Sequence, residues 1–253
     1  LDLTTHKEME RQKNLMLGMT GHELKTPLAA LKGMLQLAQR RLKRTMATPT
    51  QIPPEWEAFT HYLTKSLEDS VRQIDVQARL INDLLDVPRI SAHTLKLSLQ
   101  RCNLSNIVRQ TIEDLRVTAP ERSLLLELPE DPPVIVLVDT DRISQVVTNY
   151  IINALRYSGP DQPVRIGITV QEDNMVRVWV HDEGPGLSKE AQEGLWQRFH
   201  QVREASTQSS SEQGLGLGLY ICQMLIGQHQ GEVGVDSTPG EGSTFWFTLP
   251  LAT

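Results

Sequence analysis

The sequence predicts an α+β fold in which a long helical hairpin precedes a part built from strands and helices. Apolar residues recur at helical spacing up to a proline-rich interruption at residues 45–54, and a second helical pattern follows it. From about Leu95 onward the pattern changes to short apolar strands separated by helical stretches. These two observations predict two structural parts in this order along the chain.

The composition narrows the possible classes of protein. The 253 residues suffice for one large domain or two ordinary ones with cores that need no disulfides. The net charge of −6 argues against general nucleic-acid binding, and the two cysteines favour a reducing cytoplasm. No apolar run approaches the roughly 20 residues of a membrane span. We expect a cytoplasmic protein. Since the chain does not begin with Met, it reads as a fragment, whose only attachment to a membrane would be through a missing upstream segment.

The helical hairpin is predicted from two apolar stripes. The first stripe steps by four and three residues, as an a/d seam does: Leu24, Leu28, Leu31, Leu35, Ala38 and Leu42. The second predicts a helix ending before Pro88: Phe59, Leu63, Leu67, Val71, Ile74, Ala78, Ile81 and Leu85. Two copies of the hairpin can bury these stripes in a four-helix bundle, so we expect a homodimer. Packing of the hairpin on the second part of the same chain is the alternative.

The second part is predicted to alternate between helices and strands. Helices are expected at Leu104–Thr118, Asp141–Tyr157 and Leu217–His229. Strands are expected at Leu124–Leu128, Val134–Val138, Val164–Val170, Met175–Val180, Glu232–Asp236 and Ser243–Leu249. The stretch Arg203–Gln213 is rich in Ser, Gln and Thr and reads as a long loop, a feature that is usually functional.

A histidine on the first helix is the first candidate for chemistry. His22 lies about 200° around the helix from Leu24, away from the apolar seam, and Thr26 lies one turn further on the same face. A neutral imidazole can attack a phosphoryl group, and Glu23 could hold the other ring N–H as a general base. Without the neighbouring residues, such a histidine is more typical of a solvated helix face than of a functional site.

Four further segments have the residue types of a nucleotide site. Asn149 and Asn153 lie one turn apart on a helix, where amide oxygens suit Mg²⁺. Asp182–Gly186 follows a strand, where a carboxylate can accept from an adenine amine. Gly214–Leu219 opens a helix, which suits phosphate oxygens. Gly240–Ser243 precedes the last strand. Taken singly, these segments are also typical of surface asparagines, ordinary turns or a hairpin.

Taken together and in this order, the segments resemble a known family. The string Gly21–Leu28 resembles the phosphoacceptor box of sensor histidine kinases, with Gly21 where Ser is more frequent. The remaining segments resemble the catalytic ATP-binding domain of these kinases, in a superfamily shared with gyrase B, MutL and heat-shock chaperone ATPases. The resemblance implies a dimeric helical hairpin over residues 1–90 and an α/β sandwich with a mixed sheet over residues 97–253.

The resemblance also implies the residues of the site. His22, Glu23 and Thr26 would be catalytic, with Thr26 serving hydrolysis of a phosphorylated regulator, and Asn153 would bind Mg²⁺. The nucleotide would contact Asn149, Asn153, Arg156, Tyr157, Asp182, Gly184, Gly186, Arg198, Phe199, Gly214, Leu215, Gly216, Leu217, Gly218 and Ser243. Arg156 stands where the family usually has Lys. Gln201 stands where the family often has a cation for the γ-phosphate, which leaves Arg198 and Arg203 as candidates.

The expected activity follows from this resemblance. ATP with Mg²⁺ would phosphorylate His22, and the phosphoryl group would pass to an aspartate of a response regulator receiver domain. A nucleotide-binding signalling scaffold with weak kinase activity is the alternative, and Gln201 is the residue that allows it. An ATPase clamp of the gyrase or MutL kind has no use for the string around His22.

Overall fold

A computed structural model of the protein describes residues 27–44, 54–91, 95–118, 121–129, 132–200 and 216–252. The chain divides into two compact units, Leu1–His93 and Thr94–Thr253. The first unit is helical in its described residues, and the second combines helices with a mixed sheet. The predicted α+β fold is therefore confirmed.

The first unit contains two antiparallel helices, α1 (residues 27–44) and α2 (Pro54–Ser91). The Lys32 ammonium donates to a carboxylate oxygen of Asp75 over 2.6 Å. The Nζ of Lys43 lies 3.5 Å from the Oε1 of Glu68. As the residue number rises along α1, its partner's number falls along α2, so the helices run in opposite directions. The predicted hairpin is confirmed over the described residues.

The predicted end of the second helix before Pro88 is wrong, because α2 continues through Pro88 to Ser91. Proline has no N–H, so the carbonyl of Leu84, four residues earlier, loses its helical partner. Leu84 is exposed, so water can bond this carbonyl. One missing hydrogen bond near its end does not stop the helix.

The apolar residues of α1 occupy two faces. Leu28, Leu35 and Leu42 of the predicted seam are half-buried in the hairpin. The side chains of Leu31, Met34 and Leu37 are instead 51%, 68% and 52% exposed. We call these last three residues the α1 apolar face. Leu31 of the predicted seam is therefore exposed in the single chain, unlike Leu28, Leu35 and Leu42.

The second unit contains a five-stranded mixed sheet in the order β2-β4-β5-β7-β6 and a two-stranded sheet of β1 and β3. Its strands are β1 (Gln100–Asn103), β2 (Leu124–Glu127), β3 (Ile135–Val138), β4 (Val164–Val170), β5 (Met175–Asp182), β6 (Val233–Thr238) and β7 (Gly242–Pro250). Its helices are α3 (Leu104–Thr118), α4 (Thr140–Tyr157), α5 (Lys189–Gly194) and α6 (Gly218–Gln228). Strand β2 runs parallel to β4, and the other pairs are antiparallel.

One face of the five-stranded sheet packs on helices. Along β5, Val176, Val178 and Val180 are buried, and the residues between them are partly exposed, as period-two alternation requires. Helix α4 buries a stripe facing these strands: Ile143, Val146, Val147, Tyr150, Ile151 and Ala154. The core therefore lies between the sheet and its helices, and Asp182 continues the buried row of β5.

A buried histidine links α6 to α4. The Nδ1 of His229 lies 2.7 Å from the carbonyl oxygen of Leu225, and its Nε2 accepts from the N–H of Asp139. Asp139 caps α4 by accepting from the N–H of Arg142. The neutral tautomer with the proton on Nδ1 satisfies both contacts. The end of α6 therefore fixes the start of α4, the helix that carries Asn149 and Asn153.

Candidate functional site

Asp182, the last residue of β5, is a carboxylate buried at the edge of the helix-covered face, with 3% of its surface exposed. Burial raises the pKa of Asp182, which the N–H of Gly184, the charge of His181 and the backbone of Ser243 partly oppose. The Gly184 N–H lies 2.9 Å from a carboxylate oxygen. Such a group can accept a hydrogen bond from a ligand amine.

Two glycine-containing segments and the end of α4 converge around Asp182. A Cβ on Gly184 would lie 2.8 Å from the carbonyl oxygen of Tyr157, at the end of α4. Gly242 has a φ of 92°, and a Cβ there would lie 2.0 Å from the carbonyl oxygen of Asp182. Only glycine permits this close backbone approach. The structure thus brings together Asp182, Gly184, Gly186, Gly242 and Ser243, as well as Tyr157.

Helix α4 connects the residues around Asp182 to a second group of residues, at the start of α6. Asn149, Asn153 and Tyr157 follow at steps of four, so they lie along one side of the helix. At 1.5 Å per residue, Asn149 and Tyr157 are about 12 Å apart along the helix axis. The Asn149 amide donates to the Sγ of Cys222 over 3.5 Å, and a Cβ on Gly218 would lie 3.5 Å from it. One end of the site is therefore at Asp182 and the other at the start of α6.

The start of α6 has the properties of an anion-binding helix terminus. Its N-cap residue Leu217 makes no side-chain capping hydrogen bond, and its first turn contains no acidic residue. The Gly216 φ of 68° turns the backbone into the helix. The first N–H groups of such a helix attract negative charge. The predicted residues Gly214 and Leu215 lie outside the described residues.

The segment Trp196–His200 packs against Gly216. The Phe199 N–H donates to the Gly216 carbonyl over 3.0 Å, and Phe199 has a φ of 61° with 65% of its side chain exposed. The Arg198 guanidinium lies 4.7 Å from the centre of the Tyr220 ring, and its Nη2 donates to the Tyr220 hydroxyl over 2.6 Å. Arg198 is therefore held on the third residue of α6.

The predicted catalytic residues His22, Glu23 and Thr26 lie outside the described residues. Arg156 is described and is exposed near the end of α4. Gln201 and Arg203 also fall outside the described ranges, so of the two arginines considered for the γ-phosphate only Arg198 is described.

The donor set of the site is compatible with a magnesium ion shared with a nucleotide. Asn153 offers an amide oxygen, a hard ligand of the kind that Mg²⁺ prefers. The ranges that the structure describes contain no group of three or more His, Cys, Asp or Glu residues that could hold a metal ion. Mg²⁺ is commonly held by one or two protein ligands together with phosphates and water, and these residues fit that mode.

Several residues of the site were not predicted from the sequence. Cys222 lies on the same side of α6 as Gly218, and this spacing of four could have indicated its contact with Asn149. Tyr220 gives no such signal, because its partner Arg198 precedes α6 on a distant segment. The same is true of Gln192 and Ser237, which bond to each other and to Leu187.

Two protein-family models match the chain. Residues 138–253 match the model described as histidine kinase-, DNA gyrase B- and HSP90-like ATPase. Residues 12–93 match the His kinase A (phospho-acceptor) domain. The first match covers all the described residues of the site, and the second covers both helices of the hairpin.

Curated relatives are similar to almost the whole chain. The adaptive-response sensory kinase SasA of Crocosphaera subtropica is 31% identical over 97% of this chain and 61% of the relative. The sensor histidine kinase GacS of Pseudomonas protegens is 33% identical over 99% of this chain and 26% of the relative. The chain thus spans from about a quarter to about 60% of the length of these relatives.

Solved structures show the same architecture. The crystal structure of full-length ShkA in complex with AMPPNP has a TM-score of 0.64 at 27% identity, covering 94% of this chain and 46% of that one. The Acinetobacter baumannii histidine kinase AdeS, at 21% identity, has a TM-score of 0.56 over 87% of this chain and 96% of that one, and supports the fold alone.

The second unit, with its mixed sheet and a two-ended site along α4, is an ATPase domain of the class that histidine kinases share with gyrase B and HSP90. The phospho-acceptor match on the helical hairpin narrows this class. The two matched domains, in this order, and the sensor kinase relatives that match almost the whole chain support a sensor histidine kinase of two-component systems. No described helix is long and apolar enough to cross a membrane.

Proposed function

We propose that the protein phosphorylates itself on His22 with ATP and then transfers the phosphoryl group to an aspartate of a response regulator receiver domain. Residues 1–90 would serve dimerisation and phosphotransfer, and residues 97–253 would bind ATP. The observation that carries the proposal is the two-ended site along α4: a buried carboxylate at Tyr157 and an uncapped helix start at Asn149. The phospho-acceptor match over residues 12–93, which include His22, supports His22 as the acceptor of the phosphoryl group.

The two ends suggest the orientation of the nucleotide. Asp182 would accept a hydrogen bond from the exocyclic amine of adenine, and Gly184 and Gly186 would let the backbone approach the ring. The triphosphate would extend along Asn149 and Asn153 to the start of α6, where the helix N–H groups favour negative charge. Mg²⁺, held by Asn153 together with the phosphates, would neutralise charge that develops on the phosphate oxygens.

The reaction follows from the chemistry of imidazole. A ring nitrogen of neutral His22 attacks the γ-phosphorus, a new N–P bond forms, and the bond from phosphorus to the bridging oxygen breaks to release ADP. Glu23 holds the other ring N–H and stabilises the positive charge that develops on the ring. The protein contributes mainly position and charge stabilisation to such a transfer.

Incubation with γ-labelled ATP and Mg²⁺ tests this proposal directly, with the wild type compared with His22→Ala. We expect label that is acid-labile and alkali-stable on the wild type and absent from the variant. Label that persists in the His22→Ala variant, or is stable in acid, would contradict the assignment of His22. ATP binding measured on both proteins is the control, because both should bind equally.

A role in regulator dephosphorylation is a further part of the proposal. Thr26 lies on the same predicted helix face as His22 but is not the nucleophile, so it could hold a water molecule for hydrolysis of the phospho-aspartate. We expect Thr26→Ala to keep autophosphorylation and to slow dephosphorylation of the regulator. Equal losses of both activities would be evidence against this role.

A nucleotide-binding scaffold with weak kinase activity is a second candidate. The contact between Arg198 and Tyr220 favours this candidate. A guanidinium that is stacked on and hydrogen-bonded to a residue of α6 is less available to a γ-phosphate. ATP binding without labelling of His22 would support this candidate. Tyr220→Phe, which removes the hydroxyl partner of Arg198, would then be expected to raise labelling if Arg198 is the missing cation.

A further inference from the structure

Ser237, near the end of β6, has a hydroxyl group that joins three backbone and side-chain partners. Its Oγ donates to the Gly242 carbonyl over 2.8 Å and accepts from the Leu187 N–H over 2.9 Å. The Ser243 hydroxyl lies 2.9 Å away and can supply the remaining hydrogen bond. A hydroxyl offers one donor and two acceptor positions, so all of its capacity is used. Ser237 thereby links the loop after β5 to the β6–β7 turn.

Gln192 joins α5 to the same two segments. Its Nε2 donates to the carbonyl oxygens of Leu187 and Ser237, each over 3.0 Å. These two bonds use both hydrogens of the amide. Leu187 is therefore held through its N–H by Ser237 and through its carbonyl by Gln192.

This network reaches Asp182 through the β5–β7 pairing. Ser243 is the register partner of Asp182, and its backbone helps to stabilise the ionised carboxylate. The loop after β5 also meets the turn directly, because the Gly240 N–H donates to the Pro185 carbonyl over 2.7 Å. A displacement of Leu187 or Ser237 would therefore move the segments on both sides of Asp182.

We propose that Gln192 and Ser237 are positioning residues for base recognition: they hold Asp182 and the loop Gly184–Leu187 in the geometry that selects adenine. This inference rests on the proposed binding of adenine at Asp182. Neither side chain contacts the base in this arrangement. Their effect comes from pre-organisation, since a loop that is already fixed loses less conformational freedom when the ligand binds.

The test measures affinity and base selectivity in Gln192→Met and Ser237→Ala. Met keeps the length of Gln without its two donors, and Ala removes the hydroxyl alone. Matched controls are Gln110→Met and Ser98→Ala, which make the same changes at exposed positions outside the site. Titration calorimetry with ATP and with GTP gives two dissociation constants for each protein, and thermal unfolding without nucleotide gives its stability.

We expect Gln192→Met and Ser237→Ala each to bind ATP about tenfold more weakly than the wild type, as the loss of one or two hydrogen bonds implies. GTP lacks the amine that Asp182 would bind, so its affinity should change less and the ATP-to-GTP ratio should fall. The Leu187 amide should exchange its hydrogen faster in Ser237→Ala, because it loses its acceptor. The controls should match the wild type, and Ser237→Thr, which keeps the hydroxyl, should retain the ATP-to-GTP ratio.

Two results would overturn the inference while leaving the proposed function intact. One is an ATP affinity that is unchanged in both Gln192→Met and Ser237→Ala, when the wild type binds ATP. The other is a lower unfolding temperature with an unaltered ATP-to-GTP ratio, which indicates a purely structural role. A wild type that binds neither nucleotide would overturn the proposed function and this inference together. Should Ser237→Ala fail to fold, Gln192→Met decides the question by the same ratio.

Discussion

Asp182 combines a functional position with a cost in stability. Burial raises its pKa, so the unfolded chain loses this proton at a lower pH than the folded protein does. As pH rises from the ordinary pKa of an aspartate through the raised value, ionisation favours the unfolded state and the free energy of unfolding falls. At neutral pH the ionised carboxylate of Asp182 therefore lowers the free energy of unfolding of the nucleotide-free protein.

The Asp182→Asn substitution should separate these two effects. We expect the nucleotide-free variant to be more stable than the wild type at neutral pH, because the amide carries no charge to bury. The difference should shrink as pH falls below the ordinary pKa of an aspartate, where the wild-type carboxyl is protonated in both states. Denaturant unfolding at a series of pH values measures this, and a difference that grows in acid would contradict the assigned cause.

The same substitution should weaken ATP binding by at least about tenfold, since a hydrogen bond to a charged acceptor contributes ~1.5–3 kcal/mol. Glu183→Gln is the matched control, because it makes the same change at the neighbouring, exposed position. Equal affinities for the two variants would show that the charge of Asp182 does not recognise the nucleotide.

Among the elements, α6 allows a comparison of two glycines with different surroundings. A Cβ on Gly227 would meet nothing within 4 Å, whereas one on Gly218 would lie in contact with the Asn149 amide. We expect Gly227→Ala to raise the free energy of unfolding by up to about 1 kcal/mol, because alanine favours the helix. Its ATP affinity should equal that of the wild type.

Gly218→Ala should keep the fold, since its contact at 3.5 Å is an ordinary van der Waals distance. The added methyl group would nevertheless occupy space beside Asn149, at the end of the site proposed for the phosphates. We expect weaker binding of ATP with Mg²⁺, by about threefold or more, at unchanged or slightly higher stability. Calorimetric titration of both variants checks this, and equal affinities would place the triphosphate elsewhere.

The strongly patterned elements could be predicted from the sequence, and two short ones could not. The alternation of β5 and the amphipathic pattern of α4 locate these elements to within two residues at either end. Strand β1 is short, and its residues Gln100–Asn103 carry no apolar alternation. Helix α5 has six residues, too few for an apolar stripe, and its Ser188 cap is its main local signal.

In the site, too, the residues with a local sequence pattern could be predicted, and the contacts between distant segments could not. The glycines that converge on Asp182 belong to segments with recognisable composition, so their residue types predict a nucleotide site. Gln192 and Ser237 act through bonds between segments about 45 residues apart, and periodicity says nothing about such distances. These partners depend on the strand order β5-β7-β6, which brings the β6–β7 turn beside the loop after β5.

The whole molecule consists of two units, and the first leaves part of its apolar surface uncovered. The α1 apolar face of Leu31, Met34 and Leu37 is exposed within the hairpin, while Leu28, Leu35 and Leu42 contribute to its interior. An exposed apolar stripe on a helical hairpin is suited to pairing with a second copy in a four-helix bundle. We propose that this face contributes to the interface of the expected homodimer.

A single charge on the α1 apolar face should therefore dissociate the homodimer. We expect Met34→Glu to weaken dimerisation by at least about tenfold, since a carboxylate in an apolar interface loses its hydration without gaining a partner. Arg40→Glu is the control, because Arg40 is exposed on α1 about 120° around the helix from Met34. Sedimentation at several concentrations measures the association. ATP affinity should not change, because the described nucleotide-site residues all lie in Thr94–Thr253. A Met34→Glu variant that stays dimeric would exclude this face from the interface.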